Sequence, residues 1–257
     1  MSSVVRIGSV EVGSGRPKVC VPLTGATLDE LRAEAASIRP AAADLVELRI
    51  DRFAAVADIR AVRDAVDLVR VVLDPVLPVL LTLRTAAEGG GASIEPGAFR
   101  DLLLDAVAAE GVAAVDVEMA LPREVVDVVV EAAHAAGKPV VLSFHDLRGT
   151  PSRDEIVDRL LRQESLGADV VKLAITPATP EDVLTLLAAT AEYAARADAR
   201  PAITMAMGPL GVVSRIAGET FGSAVTFGTV GAASAPGQVD AVALRAALDL
   251  IHDAQTC

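Results

Sequence analysis

A lysine stands near the end of an apolar run, Ala168-Asp-Val-Val-Lys-Leu-Ala-Ile175, and has no acidic neighbour along the chain closer than Asp169. Burial of an ammonium is costly and lowers the amine's pKa, and a neutral amine attacks a ketone to form a Schiff base. Lys172 is therefore a candidate nucleophile. Upstream, Ser143-Phe-His-Asp146 ends another apolar run, which makes His145 a candidate base facing it. Each has a plainer reading: a lysine can snorkel its charge to the surface, and a histidine at a strand end can cap a turn.

Other chemically able residues collect near the ends of apolar runs: Glu47 and Arg49, Arg84 and Glu88, Asp116 and Glu118, Met205 and Met207, Ser234 and Gln238. Residues two apart on a strand point to one face, so Glu47 and Arg49 share a side. They form either an ion pair that closes the core or part of a polar site. Arg84 opens a Gly-rich turn, Arg84-Thr-Ala-Ala-Glu-Gly-Gly-Gly91, for which flexibility is the cheap explanation. Yet so many charged groups at strand ends exceed what a passive core tolerates.

The elements that must position these residues alternate along the chain. Short Val/Ile/Leu runs predict eight strands, over 19–23, 45–50, 79–84, 114–118, 139–143, 170–174, 202–205 and 224–227. Amphipathic patterns predict helices over 28–38, 58–71, 96–109, 123–136, 152–166, 180–196 and 239–254. Thr150-Pro-Ser-Arg-Asp-Glu155 supplies a start signal, and Gly137 and Gly167 supply stops. Near-continuous apolar strands between helices indicate a parallel sheet covered on both faces. Eight units point to a closed (β/α)8 barrel spanning residues 1–257 as one domain, with a doubly wound open sheet as the other solution. In a barrel, the strand ends converge on one mouth.

Composition narrows the function. The 257 residues are 52% apolar with one Tyr, five Phe and no Trp, so the core is aliphatic. A net charge of −12 excludes nucleic acid and anionic membrane as partners, since either needs a basic face. An anionic substrate then requires a local cationic pocket. Two cysteines, Cys20 and Cys257, indicate neither a disulfide framework nor a zinc cluster, and His134, His145 and His252 have no metal-ligand spacing. No Walker pattern occurs, and Gly208-Pro-Leu-Gly211 lacks dinucleotide-fold spacing. The start of the chain lacks a signal-peptide stretch and no run reaches membrane-spanning length, so a cytoplasmic location is expected.

Eight segments, in order, resemble type I 3-dehydroquinate dehydratase, the Schiff-base enzyme of the shikimate pathway. They are Glu47-Leu-Arg-Ile-Asp51, Arg84-Thr-Ala-Ala-Glu-Gly-Gly90, Ser143-Phe-His-Asp146, Val171-Lys-Leu-Ala174, Met205-Ala-Met-Gly208, Ser214-Arg215, Gly222-Ser223 and Ser234-Ala-Pro-Gly-Gln238. The resemblance implies a lyase that dehydrates 3-dehydroquinate to 3-dehydroshikimate without metal or organic cofactor, and a homodimer. It implies that Lys172 forms the imine, that His145 is the general acid/base and that Glu88 orients it. Glu47, Arg49 and Arg84 are then expected to hold the ring hydroxyls, Arg215 the carboxylate, and Ser234 and Gln238 to lie on a closing loop. Asp116 and Glu118 stand open between substrate contact and barrel support. Leu147 departs from the family, which often has an aromatic residue there.

That chemistry sets a demand. A lysine of pKa ~10.4 is neutral in about one molecule in 2,500 at pH 7, and lowering it to ~8 costs roughly 3 kcal/mol. Arg49, Arg84, Arg215 and burial are expected to supply the shift. The Gly/Ala/Ser-rich stretch 228–238 lacks bulky anchors and reads as a mobile lid. Two other readings share these residues: another class I Schiff-base lyase of aldolase type, and a non-catalytic barrel that binds a shikimate-pathway acid.

Overall fold

The computed structural model describes residues 3–73, 77–231 and 234–256. Cys257, the first two residues and residues 232–233 of the Gly/Ala/Ser-rich stretch lie outside the described residues. A small antiparallel hairpin comes first, β1 (Val5–Ile7) and β2 (Val10–Val12). Eight parallel strands follow: β3 (Lys18–Leu23), β4 (Leu45–Arg49), β5 (Val79–Thr82), β6 (Ala114–Glu118), β7 (Val140–Asp146), β8 (Val170–Ile175), β9 (Ala202–Ala206) and β10 (Val225–Thr229). A two-residue strand, β11 (Val239–Asp240), adds to β10.

The helices between them are α1 (Leu28–Ser37), α2 (Ile59–Leu73), α3 (Pro96–Ala108), α4 (Arg123–Ala135), α5 (Arg153–Ser165), α6 (Pro180–Ala194), the short α7 (Val212–Ile216) and α8 (Gly218–Phe221), and α9 (Ala241–Thr256). Their sequences explain them. In α2, Val62, Ala65, Val66, Val69 and Leu73 recur at helical spacing and are the buried face. Thr179 and Asp182 form a reciprocal capping box at the start of α6, with Pro180 in the first turn, and Ser152 caps α5 by accepting from Glu155 N.

The sheet runs β10-β3-β4-β5-β6-β7-β8-β9 in chain order, which is the (β/α)8 barrel. Its seam lies between β9 and β10. There the two strands meet through the Ala202–Ser223 bridge rather than a full ladder. Ala224 N donates to Ala202 O at 2.7 Å, and Ser223 Oγ accepts from Thr204 N at 3.1 Å.

Alternation along each strand divides two cores. Val46 and Leu48 of β4 join the outer layer between strands and helices, whereas Leu45 joins Cys20, Leu80, Ala114, Val141, Val170, Ile203 and Val225 inside the barrel. Ile7 and Val12 of the hairpin belong to this inner cluster and cover the amino-terminal end of the barrel. The hairpin has no counterpart among the expected elements, nor do α7 and α8. A further difference concerns β7, which runs to Asp146 instead of stopping at 143. His145 and Asp146 thus lie within their strand and not beyond its end.

Candidate active site

The carboxyl ends of the barrel strands surround a cavity of about 550 Å³. Its lining includes the nine residues to which the resemblance assigns a role: Glu47, Arg49, Arg84, Glu88, His145, Lys172, Arg215, Ser234 and Gln238. They come from six strands or the loops that follow them, which the barrel alone brings together.

Lys172, on β8, is 3% exposed. The sequence around it offers no acidic partner, but the fold supplies two. Its Nζ lies 2.8 Å from Asp116 Oδ2 and 3.2 Å from Glu47 Oε1, and 4.8 Å from the centre of the Phe227 ring. Burial works to lower this amine's pKa, but Asp116 and Glu47 outweigh it and the net shift is upward. The expected cation-driven depression is therefore corrected: the lysine is held charged. The cations do not crowd it because most are neutralised themselves.

Arg84 shows how. Its Nη1 donates to Glu118 Oε1 at 3.0 Å, Ser143 Oγ at 2.9 Å and Glu88 Oε2 at 3.2 Å, and its Nη2 to Asp116 Oδ1 at 2.7 Å. Asp116 also accepts from Ser143 Oγ at 2.6 Å. Burial alone raises a carboxyl, yet Arg84 and Lys172 hold Asp116 well below the usual carboxylate range. Glu118 accepts from Thr85 N at 2.8 Å and Thr85 Oγ1 at 2.7 Å. Asp116 and Glu118 thus stand behind the lining with their oxygens spent on its supports. Arg49 is not paired with Glu47 in an ion pair that closes the core. It forks onto Asp51 through Nε at 2.8 Å and Nη2 at 2.9 Å.

His145, on β7, places Nδ1 2.9 Å from Glu88 Oε2. Burial, with Arg84 and Lys172 adding to it, holds the imidazole well below its ordinary pKa and thus neutral. With Nδ1 turned to Glu88, Nε2 is the nitrogen left for the cavity. Glu88 sits on the short turn Ala86–Glu88. Burial, with Glu118 and Asp116 adding to it against Arg84, raises its carboxyl to about 8. Its Oε2 also accepts from His145 N at 3.2 Å, while its buried Oε1 has no partner among the described residues.

Arg215 differs from the other lining cations. It is 1% exposed, Nη2 donates to Pro236 O at 3.2 Å, Nη1 meets Met205 Sδ at 3.9 Å, and Nε has no partner among the described residues. Burial lowers its pKa to about 10, which still leaves it charged at neutral pH. Among the described lining residues it is the cation without a carboxylate, so it is suited to receive one. The loop carrying Ser234 and Gln238 is tied to the wall: Gln238 Oε1 accepts from Ser234 N at 2.8 Å, and Pro236 O from Gly208 N at 3.1 Å. Leu147, 44% exposed, is at the rim beside Gly89.

Sequence reasoning assigned no role to Asp51, Phe227 or the half-exposed Arg52, all of which belong to the site or its support. The rule that paired Glu47 with Arg49 also pairs Arg49 with Asp51, and that signal was present.

The comparisons with known proteins agree along the chain. A profile of the family described as type I 3-dehydroquinase matches residues 19–255. A 3-dehydroquinate dehydratase of Klebsiella pneumoniae (strain 342) is 42% identical over 251 residues, 98% of this chain and 100% of that one. Its counterpart from Listeria welshimeri is 44% identical over 252 residues, 98% of this chain and 99% of that one. Among solved structures, a type I 3-dehydroquinate dehydratase from Clostridium difficile with covalent modified comenic acid superposes with a TM-score of 0.94 at 39% identity, covering 98% and 99% of the two chains.

Proposed function

Because the chain belongs to the type I 3-dehydroquinase family, we infer that it dehydrates 3-dehydroquinate to 3-dehydroshikimate through a Schiff base on Lys172. The observation that carries this reading is one cavity lined by a buried lysine, a neutral imidazole and a buried arginine without a carboxylate partner among the described residues. The enzyme is a hydro-lyase of the shikimate pathway, and the Schiff base is characteristic of its family.

The substrate carboxylate pairs with Arg215, and Arg49, Arg84 and Glu47 meet the ring hydroxyls. The ketone is then presented to Nζ. Asp116 and Glu47 keep that nitrogen protonated, so attack requires it to lose a proton first. Neutral His145 is the acceptor the site offers. Nζ attacks the ketone carbon, the proton held on His145 passes to the resulting carbinolamine hydroxyl, which leaves as water, and the protonated imine that remains is an electron sink that acidifies the neighbouring C–H. His145 Nε2 takes this proton and returns it to the departing hydroxyl, which leaves as water. Hydrolysis of the imine releases 3-dehydroshikimate and restores the amine. Glu88 holds the ring of His145 through Nδ1. Ser234 and Gln238 close over the bound acid from the 228–238 loop.

Residues 1–257 act as one catalytic barrel, and the resemblance supports a cytoplasmic homodimer, which sedimentation of the purified chain tests. No helix among the described residues is long and apolar enough to cross a membrane.

Borohydride reduction with 3-dehydroquinate, followed by peptide mass spectrometry, tests the core of the mechanism. The ring adduct is expected on Lys172, and Lys172→Ala is expected to lose both turnover and adduct. Undiminished trapping in that variant defeats the assignment.

A further inference from the structure

Helix α5 packs against the outside of the barrel, and two of its side chains, one turn apart, reach the strands that carry His145 and Lys172. Gln163 is fully buried, and its carboxamide spans a single residue of β8. Oε1 accepts from Lys172 N at 2.9 Å, and Nε2 donates to Lys172 O at 2.9 Å. Four residues earlier, Arg159 Nη1 donates to Asp146 Oδ2 at 2.9 Å, and its guanidinium carbon lies 4.5 Å from the centre of the Phe144 ring. Phe144 and Asp146 flank His145 in the chain.

A strand ordinarily satisfies its backbone on neighbouring strands. At Lys172 one side-chain amide meets both the N–H and the C=O, and a carboxamide is suited to this because it carries a donor and an acceptor at its two ends. Leucine there removes both of these bonds. Glutamate presents two acceptors unless it holds a proton. The pairing of β7 with β8 sets Ser143 beside Lys172 and His145 beside Ala174, so a slip of either strand alters the distance from base to amine.

We infer that α5 is an external jig: through Gln163 and Arg159 it fixes Lys172 and His145 in the relative placement that the reaction needs. Both are positioning residues, for neither lines the cavity. The inference rests on the reading of Lys172 as the imine-forming amine.

The test uses the full-length enzyme with Gln163→Leu and Gln163→Glu, measuring kcat and KM against pH, thermal melting, and borohydride trapping. Displacement of reacting groups by about 1 Å costs on the order of 100-fold, so Gln163→Leu is expected to lose about 10- to 100-fold in kcat. Its KM is expected to change by less than about threefold, because the carboxylate and hydroxyl contacts stay in place. Gln163→Glu is expected to resemble Gln163→Leu at high pH. Relative to the parent at each pH, it recovers as acidification protonates the carboxyl and restores a donor to Lys172 O. A role confined to stability lowers melting in both variants yet leaves kcat per folded molecule and its pH profile unchanged, and that result overturns the inference. Where Gln163→Leu does not fold, the profile of Gln163→Glu decides alone. Trapping is run in parallel on Lys172→Ala. An adduct that persists there removes the assignment of Lys172, whereas its loss together with a parental Gln163→Glu profile removes the positioning role only.

Discussion

The two oxygens of Glu88 live in unequal surroundings: Oε2 is shared by Arg84 and His145, while Oε1 is buried without a partner among the described residues. A carboxyl raised from 4.5 to about 8 holds its proton more tightly in the folded chain than in the unfolded one. As pH rises past 4.5 the unfolded chain ionises first, so this group subtracts stability progressively until the folded carboxyl ionises near 8. Glu88→Gln has no proton to lose. Its melting temperature relative to the parent is expected to climb between those two pH values and level off above them, while turnover falls because His145 is less firmly oriented. A difference that stays flat with pH contradicts the raised carboxyl. At this scale the cavity lining was largely legible, because residue type and strand-end position together selected Lys172, His145 and Glu88 as its candidates. The charge state of Lys172 was not, since its partners Asp116 and Glu47 lie 56 and 125 residues away.

The glycine-rich segment after β5 is a tight turn and not a loose connector. A side chain at Gly90 would place its Cβ 2.0 Å from Arg84 O, and one at Gly91 would lie 2.6 Å from Asp51 O. The turn folds back on Arg84 and delivers Glu88 to His145. Gly90→Ala is therefore expected to destabilise by on the order of 2–4 kcal/mol in denaturant titration and to lower turnover through both residues. Parental values for both would mean that the backbone moves aside freely. The eight strands and seven long helices were readable because each repeats its apolar pattern over several residues. Hairpin strands of three residues and α7, at five residues, are too short to show a period. Arg215 on α7 was accordingly found by resemblance and not by pattern.

The barrel as a whole is closed unevenly. Ladders join β10 round to β9, but the last gap depends on one bridge and on the hydroxyl of Ser223, which accepts from Thr204 N. Ser223→Ala leaves that buried amide unpaired and is expected to cost about 1–3 kcal/mol of unfolding free energy. An unchanged denaturation midpoint would show that the seam holds without it. Closure was implied by counting eight units, but the place of the seam was not, because no local pattern marks which pair of neighbours has the fewest shared bonds.

The hairpin beneath the barrel has a consequence for traffic. Ile7 and Val12 stopper the floor with hydrocarbon, beneath the aliphatic layer that Cys20, Leu45, Leu80 and Val141 contribute from the strands. The ring acid and its product are therefore expected to come and go through the doorway at the opposite, carboxyl-terminal end, where the cavity lies.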